Sequence, residues 1–294
     1  MNPAIPPVQN DTVFVLAASG ESVYAARASG LYRSRDGGAT WEDALMPLER
    51  HEVFAVTSVA ACGRTVIAGA TGAILHSHDD GVGWQIALLS MPAPVVSALV
   101  VSPNFDEDGL IAAGTAEDGI FVSTDGGANW IPWNFGLIDF HVNTLAIPPN
   151  FTSDRTIFVG TESGIFRSLN GGRAWREVPS PMNFAPVLSL GVAANGRVFV
   201  GSEGYGAFAS DDGGEHWRRI EPFADGTVNA IHVRDSRVWM LFDEALVVSD
   251  DCGDTWANDP RQLPLGKRAM VLLPFPSSSA LLVGFADGDL LQLS

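Results

Sequence analysis

The chain has 294 residues, which allows one or two ordinary domains or a single large all-β domain. It carries 34 Asp and Glu residues against 17 Lys and Arg residues, so its formal net charge at pH 7 is −17. A surface this acidic repels phosphate groups, which argues against nucleic acids and anionic membranes as partners.

Neither a membrane span nor a secretion signal is visible in the sequence. No apolar run approaches the roughly 18 residues that a membrane helix needs, and the first residues lack the basic group of a secretion signal. We therefore expect a cytoplasmic protein with no membrane insertion. The two cysteines, Cys62 and Cys252, are too few for a disulfide framework or a zinc site built on Cys pairs. We expect neither a metal nor a cofactor.

An eight-residue motif, Ser-x-Asp-x-Gly-x-x-Trp, recurs six times along the chain, and we call each copy a box. Successive box tryptophans are 39 to 46 residues apart, which is the period of a four-stranded propeller blade. Asparagine replaces the aspartate in the fourth box. The Asp or Asn and Trp positions are Asp36 and Trp41, Asp79 and Trp84, Asp125 and Trp130, Asn170 and Trp175, Asp212 and Trp217, and Asp251 and Trp256.

Each box lies within a unit of four strand-like runs. In the first unit SVYAAR and GLYRS precede the box; later units add an inner run such as VSALVVSP and a short run such as WREV after the Trp. These β-branched and aromatic runs predict a four-stranded meander, with the box as the hairpin between the third and fourth strands. The box glycines permit positive φ, and its Asp and Ser side chains can bind unpaired backbone N–H groups. Because a catalytic site needs one constellation and not six, we interpret the boxes as structural.

The repeat resembles the Asp-box, or BNR, repeat of sialidases, sortilin-type receptors, family 74 xyloglucanases and photosystem II assembly factor propellers. The resemblance covers nearly the whole chain and implies a β-propeller. It implies no single function, because those families do unrelated things.

The end of the chain predicts a seventh blade. AMVLLPF, ALLVGFAD and GDLLQLS match the first three strands of a unit, and the chain stops at Ser294, where the next box would begin. The segment PAIPPVQN near the N-terminus could supply the missing outer strand and close the ring, since prolines are tolerated on such an edge. The alternative is six blades followed by a strand-rich tail.

Acidic residues recur in the short loops between second and third strands, from the third unit onward. In a propeller these loops share one face with the connections between blades, opposite the boxes. The residues are Glu117, Asp118, Glu162, Glu203, Asp243, Glu244, Asp287 and Asp289. We call them the acidic arc, which could recruit a basic protein segment or a cation. The alternative is that they are ordinary turn residues of an acidic protein.

The connection between the third and fourth units is aromatic. Trp133, Phe135, Phe140 and His141 lie in WIPWNFGLIDFHVN, and we expect them on the same face as the acidic arc. They could form an apolar anchor for a protein or a sugar ring, with Asp139 and His141 as polar groups. The alternative is a long loop that packs on its own repeat.

Enzymatic signatures are weak. A sialidase needs an arginine cluster and a tyrosine nucleophile, and the Arg-Ile-Pro motif of that family is absent. Other glycosidases need two carboxylates across a cleft, which Glu162 and Glu203 could supply. Asp106 and Asp108 are spaced like calcium ligands, but they fall short of an EF-hand set.

We therefore expect a single seven-bladed propeller domain over residues 1–294, more likely a binding protein than an enzyme. Its expected role is that of an assembly factor or a subunit of a larger complex, with another protein as partner. The alternative is carbohydrate binding or glycoside hydrolysis.

Overall fold

The structure is a computed structural model that describes residues 11–48, 54–89, 92–182, 185–221, 225–275 and 278–294. Seven antiparallel sheets form a ring, each with its strands in chain order from the central channel to the rim. The predicted seven-bladed all-β propeller is confirmed, and the alternative of six blades is wrong. No helix in the described ranges is long and apolar enough to cross a membrane.

The blades are simple meanders. Blade 1 consists of β1 (Val13–Ser19), β2 (Ser22–Arg27), β3 (Gly30–Ser34) and β4 (Glu42–Asp43), and blade 2 of β5 (Val56–Cys62), β6 (Thr65–Ala70), β7 (Ala73–Ser77) and β8 (Gln85–Leu88). Blade 3 consists of β9 (Val96–Val101), β10 (Ile111–Thr115), β11 (Ile120–Ser123) and β12 (Ile131–Pro132), and blade 4 of β13 (Val142–Ala146), β14 (Ile157–Thr161), β15 (Ile165–Ser168) and β16 (Arg176–Val178). Blade 5 consists of β17 (Val187–Val192), β18 (Val198–Ser202), β19 (Ala207–Ser210) and β20 (Arg218–Arg219), and blade 6 of β21 (Val228–Arg234), β22 (Arg237–Phe242), β23 (Leu246–Ser249) and β24 (Ala257–Asn258). Blade 7 has β25 (Ala269–Pro274), β26 (Leu281–Phe285) and β27 (Leu290–Leu293) among the described residues.

Among the described residues, helical structure is limited to three short turns. One 3-10 turn (Met46–Leu48) follows blade 1. The other two, α1 (Phe105–Asp108) and α2 (Phe151–Asp154), occupy the same hairpin of blades 3 and 4. Each of these two buries its phenylalanine and ends at a residue with positive φ.

All six box turns have the same hydrogen bonds. The Ser hydroxyl donates to the Asp or Asn Oδ1 at 2.7–2.9 Å and accepts the N–H of the glycine four residues on at 2.7–2.9 Å. The same Oδ1 accepts the N–H of the residue before the Trp at 2.8–2.9 Å. Asn170 makes these bonds through its neutral amide oxygen. The box therefore needs an acceptor oxygen at this position, with or without a charge.

The box tryptophans also join neighbouring blades. The indole N–H groups of Trp84, Trp175 and Trp217 donate to backbone carbonyls of the preceding blade's outer segment at 2.7–2.8 Å. A bond of this kind crosses a blade boundary and pulls two adjacent sheets together. The tryptophans thus act as spacers between blades.

Neighbouring blades also interlock close to the channel. In five blades the second strand has a glycine whose absent Cβ leaves room for the first residue of the next blade's inner strand. A Cβ on Gly160, for example, would lie 2.4 Å from Val187 Cγ1. Between blades 6 and 7 the large and the small side chain change places. Leu241 occupies the position of the glycine and Ala269 occupies the position of the valine, and both lie in one buried cluster. Large and small residues thus alternate across the blade boundaries.

The ring closes between the first and last blades. The Thr12 hydroxyl donates to the Ala286 carbonyl at 2.8 Å. Val13 fills the space beside Gly284 just as Val187 does beside Gly160. The predicted closing strand from the N-terminus falls within residues 1–10, which lie outside the described residues.

Candidate functional site

Two faces result from this topology. The box face carries the boxes and the hairpins between first and second strands. The loop face carries the hairpins between second and third strands and the connections between blades. Backbone bonds tie these two kinds of loop together; for example, Ala116 donates to Val95 at 2.9 Å and Glu203 donates to Pro186 at 3.1 Å. The loop face is therefore a fixed surface on which each acidic hairpin has a set neighbour.

The connection between blades 3 and 4, residues 133–141, is fixed by the two hairpins beside it, and we call it the aromatic loop. Gly119 of blade 3 donates its N–H to the Phe140 carbonyl at 3.0 Å, and Glu162 of blade 4 donates its N–H to the His141 carbonyl at 3.1 Å. The hairpins that carry Glu117 and Glu162 thus lie on either side of this loop. The predicted proximity of the aromatic residues to the acidic arc holds at Phe140 and His141.

The aromatic loop presents apolar side chains to solvent. Phe135 is 80% exposed and Ile138 is 76% exposed, while Phe140 is partly exposed. Leu137 between them is buried and anchors the loop to the core of blades 3 and 4. Ile138 was not among the sequence candidates, because an isolated Leu-Ile pair in a loop does not indicate which of the two points outward.

Trp133 occupies a different place from the one expected. It is half-buried between blades 3 and 4, where its ring packs beside Gly172 of the fourth box and under the Arg173 guanidinium, 5.7 Å from the ring centre. Its backbone carbonyl accepts the Trp175 indole N–H at 2.7 Å. The tryptophan fills a boundary between blades and lies beside the box turn, so the exposed anchor of the loop is Phe135.

Asp139 acts as a tie within the loop face. Its carboxylate accepts the Ser163 N–H at 2.9 Å, the Ser163 hydroxyl at 2.6 Å and the His141 N–H at 3.0 Å. Burial raises the pKa of Asp139, but the hydrogen bonds from Ser163 and His141 outweigh it and lower the pKa to about 2. Asp11 binds Ser29 of blade 1 in the same way. The Asp139 carboxylate is therefore already bonded to donors of the protein itself.

The acidic arc is neutralised at one end only. Near blade 7, Lys267 bridges Asp287 and Asp289, and Arg268 lies 3.4 Å from Asp243. Glu162 accepts a single bond from the Asn143 amide at 3.0 Å. The carboxylates of Glu117, Glu203 and Glu244 have no ion pair or hydrogen bond with any described residue. The uncompensated negative charge therefore lies from blade 3 to blade 6.

A ring of bulged residues surrounds the mouth of the channel on the loop face. The inner strand of every blade has a β-bulge after its first residue, which leaves one extra residue at the end of the strand toward the loop face. These residues are Phe14, Thr57, Ser97, Asn143, Leu188, Asn229 and Met270. Asn143 and Asn229 bind Glu162 and Asp243, which draws two carboxylates of the acidic arc toward the channel. This ring could not be predicted from the sequence, because a bulge interrupts the period-two pattern by only one residue.

The possible calcium loop is an ordinary turn. Asp108 accepts the Ser102 hydroxyl at 2.8 Å and the Leu110 N–H at 2.9 Å, so its oxygens already have protein donors. In the part of the chain that the structure describes, no group of three or more His, Cys, Asp or Glu side chains could hold a metal ion.

The comparisons with known proteins agree with this architecture. The family model of the photosynthesis system II assembly factor YCF48 matches residues 8–133, which span blades 1 to 3. A YCF48 solved with a bound D1 peptide superposes with a TM-score of 0.74 at 20% identity, over 98% of this chain and 95% of that one. This protein is a BNR-type β-propeller that resembles these assembly factors and the xyloglucanases.

The xyloglucanase likeness covers a smaller part of those enzymes. The GH74 enzyme of Niastella koreensis superposes on this BNR-type propeller with a TM-score of 0.78 at 15% identity, over 97% of this chain and 52% of the enzyme. A probable oligoxyloglucan-reducing end-specific xyloglucanase of Neosartorya fischeri is 30% identical over 115 residues, which are 34% of this chain and 14% of that protein. The propeller thus spans about half of one enzyme and matches a small part of the other.

The channel wall of this BNR-type propeller contains a histidine with a strongly shifted pKa. His232 on β21 is half-buried, with its ring 6.2 Å from that of Trp239. Burial, together with the nearby Arg234 charge, lowers the pKa of His232 to about 4. Burial also lowers the pKa of His76, between blades 2 and 3.

We expect the free energy of unfolding to fall as the pH is lowered from about 6.5 toward 4. In that range the unfolded chain binds a proton at His232 while the folded chain does not, so acid favours unfolding, with a slope of up to about 1.4 kcal/mol per pH unit for one proton. Urea unfolding at several pH values, followed by tryptophan fluorescence, measures this slope. His232→Gln should reduce this slope, and an unchanged slope in that variant would contradict the assignment.

Below about pH 4 the box carboxylates add to the loss of stability, because their pKa values are also lowered in the folded state, that of Asp36 to about 2.

Proposed function

We propose that this propeller is a non-enzymatic binding protein, an assembly factor or a subunit of a larger complex, whose loop face binds a basic segment of another protein. The observation that carries the proposal is the aromatic loop, which exposes Phe135 and Ile138 and whose last residues, Phe140 and His141, are bonded to the hairpins that carry Glu117 and Glu162. An exposed apolar group bordered by charge is typical of a protein-binding surface. The likeness to a YCF48 solved with a peptide supports this proposal at the level of fold.

The charges indicate which partner fits. Glu117, Glu162, Glu203 and Glu244 would attract Lys and Arg side chains and steer the encounter, while Phe135 and Ile138 would contribute most of the contact energy. A peptide with an apolar residue next to basic residues satisfies both features. Its basic residues would extend from the aromatic loop along the acidic arc toward blade 6.

We expect two kinds of variant to weaken the same complex in different ways. Phe135→Ala removes an exposed anchor and should cost the complex more than about 1 kcal/mol. Glu203→Lys should chiefly slow association and weaken its salt dependence. The first measurement is affinity capture from the source cells with quantitative mass spectrometry, followed by titration of the captured partner.

The matched control is Asp106→Lys, which makes the same charge change at an exposed residue of the box face. Proteins that are lost with Phe135→Ala and Glu203→Lys but kept with Asp106→Lys would be loop-face partners. If the control abolishes capture while both loop-face variants bind normally, the proposal is wrong.

Glycoside hydrolysis is the second candidate, and the likeness to xyloglucanases favours it. Glu162 and Glu203 lie on neighbouring hairpins of the loop face and are the candidate carboxylate pair. Assays with xyloglucan oligosaccharides test this function directly. Hydrolysis that disappears in both Glu162→Gln and Glu203→Gln would favour it over the binding role.

A further inference from the structure

The outer strand of each blade leaves backbone N–H and C=O groups without a sheet partner at the rim. Proteins usually protect such edges with short strands, charges or prolines, because an unprotected edge pairs with other strands. Five of the six described outer strands follow this rule, with two or three residues each. The exception is β8 of blade 2, which has four residues, Gln85–Leu88, and no charge.

One position within the outer strands shows the difference most clearly. The residue two places after the box Trp directs its backbone N–H and C=O away from the blade, because the next residue donates its N–H inward, as Ala44 does to Leu31 and Trp133 does to Ile120. In the other five blades this position is polar, charged or proline: Asp43, Pro132, Glu177, Arg219 and Asn258. In blade 2 it is Ile86.

Leu88 extends the same unprotected edge. The Leu89 N–H donates inward to the Gly72 carbonyl at 2.9 Å, so the backbone groups of Leu88, like those of Ile86, point outward. The two side chains lie on one face of the sheet, where Ile86 is 53% exposed and Leu88 is 80% exposed. This edge therefore offers both unpaired backbone groups and an apolar surface.

The charge distribution indicates what can pair with this edge. The 25 residues from Gly81 to Phe105 contain no Asp, Glu, Lys, Arg or His, although the chain has a net charge of −17. Two copies of so acidic a protein repel each other over most of their surfaces. They can approach at low electrostatic cost where charge is absent, and β8 lies within this uncharged segment.

We propose that two copies of this chain form a two-fold symmetric dimer by antiparallel pairing of their β8 strands. A two-fold axis beside Ala87 places Ile86 opposite Leu88 of the second copy, and Leu88 opposite its Ile86. Both residues direct their backbone groups outward, so each of these pairs exchanges two hydrogen bonds. The two apolar pairs meet on one side of the joined sheets. This is an isologous interface, the commonest kind in homodimers.

Sedimentation velocity of the full chain over a wide concentration series tests the proposal. The wild type should show a concentration-dependent dimer, and added NaCl should strengthen it, because salt screens the repulsion between the copies. Ile86→Pro should raise the dissociation constant at least tenfold, since proline lacks the N–H that the pairing needs. Blade 3 already has Pro132 at the equivalent position, so the blade tolerates this residue.

Leu88→Lys is a second variant that keeps the backbone intact and should also give a monomer. The matched control is Ile131→Lys, at an exposed residue on the outer strand of blade 3, which should dimerise like the wild type. A monomer at every concentration overturns the proposal, as does a dimer that survives both β8 variants or is lost equally in the control.

The register can be tested by cross-linking. Ala87 faces Ala87 of the second copy, at a Cα separation of about 4.5 Å that suits a disulfide. Ala87→Cys should therefore form a covalent dimer under mild oxidation, whereas Gln85→Cys should not. The wild type controls for the native Cys62 and Cys252. Cross-linking of Gln85→Cys in preference to Ala87→Cys would overturn the proposed pairing.

Discussion

Replacement of Trp175 by alanine is expected to lower the free energy of unfolding by about 3 to 5 kcal/mol, the usual cost of removing a large buried aromatic side chain. Trp175 is 5% exposed and belongs to the core cluster shared by blades 3 and 4. Its indole N–H bonds the Trp133 carbonyl, and its backbone N–H bonds the Phe135 carbonyl at 2.8 Å. The substitution therefore leaves a cavity and loosens the attachment of the aromatic loop. Urea unfolding followed by circular dichroism measures the change.

Trp175→Phe separates these two effects. It keeps an aromatic ring in the core but removes the indole N–H, so the Trp133 carbonyl loses a donor, at a cost of about 1 to 3 kcal/mol. The phenylalanine variant should lie between the wild type and Trp175→Ala. If Trp175→Ala keeps full stability and loses a partner, the structural interpretation of the boxes is wrong.

Gly160→Leu is expected to destabilise the propeller by about 1 to 3 kcal/mol or more, because the added side chain enters a packed boundary. Even a Cβ at this position would lie within 2.4 Å of Val187 Cγ1 and 2.7 Å of Thr144 Cγ2. Val187 begins the inner strand of the next blade and cannot move without disturbing its bulge. Thermal and urea unfolding of the single variant measure the cost.

The double variant Gly160→Leu with Val187→Ala should recover much of this stability. It reproduces at the boundary of blades 4 and 5 the pair that the protein already has at the boundary of blades 6 and 7, Leu241 with Ala269. Val187→Ala alone leaves a cavity and should also be destabilising. Additive losses in the double variant would show that the two positions do not share one space.

The sequence predicted the blade architecture because its signals are local. Six boxes with a steady period define six hairpins, and the three runs after Leu263 define a seventh sheet without a box. The box hydrogen bonds could also be anticipated, since they join residues within four positions of one another. The packing of Val187 into the space beside Gly160 could not be anticipated, because each residue taken alone is an ordinary strand residue.

The candidate site was predicted less well, for the same physical reason. The repeat predicts that Phe135 and Phe140 share a face with the acidic arc. Hydrogen bonds to the neighbouring hairpins hold Phe140 and His141 there, whereas Phe135 is bonded to Trp175 of the fourth box. The sequence does not distinguish the Asp139 carboxylate, which accepts two bonds from Ser163, from the Glu203 carboxylate, which has no partner among the described residues. It also placed Trp133 with the exposed residues, although the side chain turns back into the boundary between blades 3 and 4.

The bond between Thr12 and Ala286 has a consequence for the kinetics of folding. Its partners are 274 residues apart in sequence, whereas the other blade boundaries join segments that follow one another directly. Closing a loop of that length costs about 5 kcal/mol of chain entropy. We therefore expect neighbouring blades to assemble early and the contact between the first and last blades to form late. An open series of assembled blades, in which the first and last blades have not yet met, would then be the intermediate that accumulates during refolding.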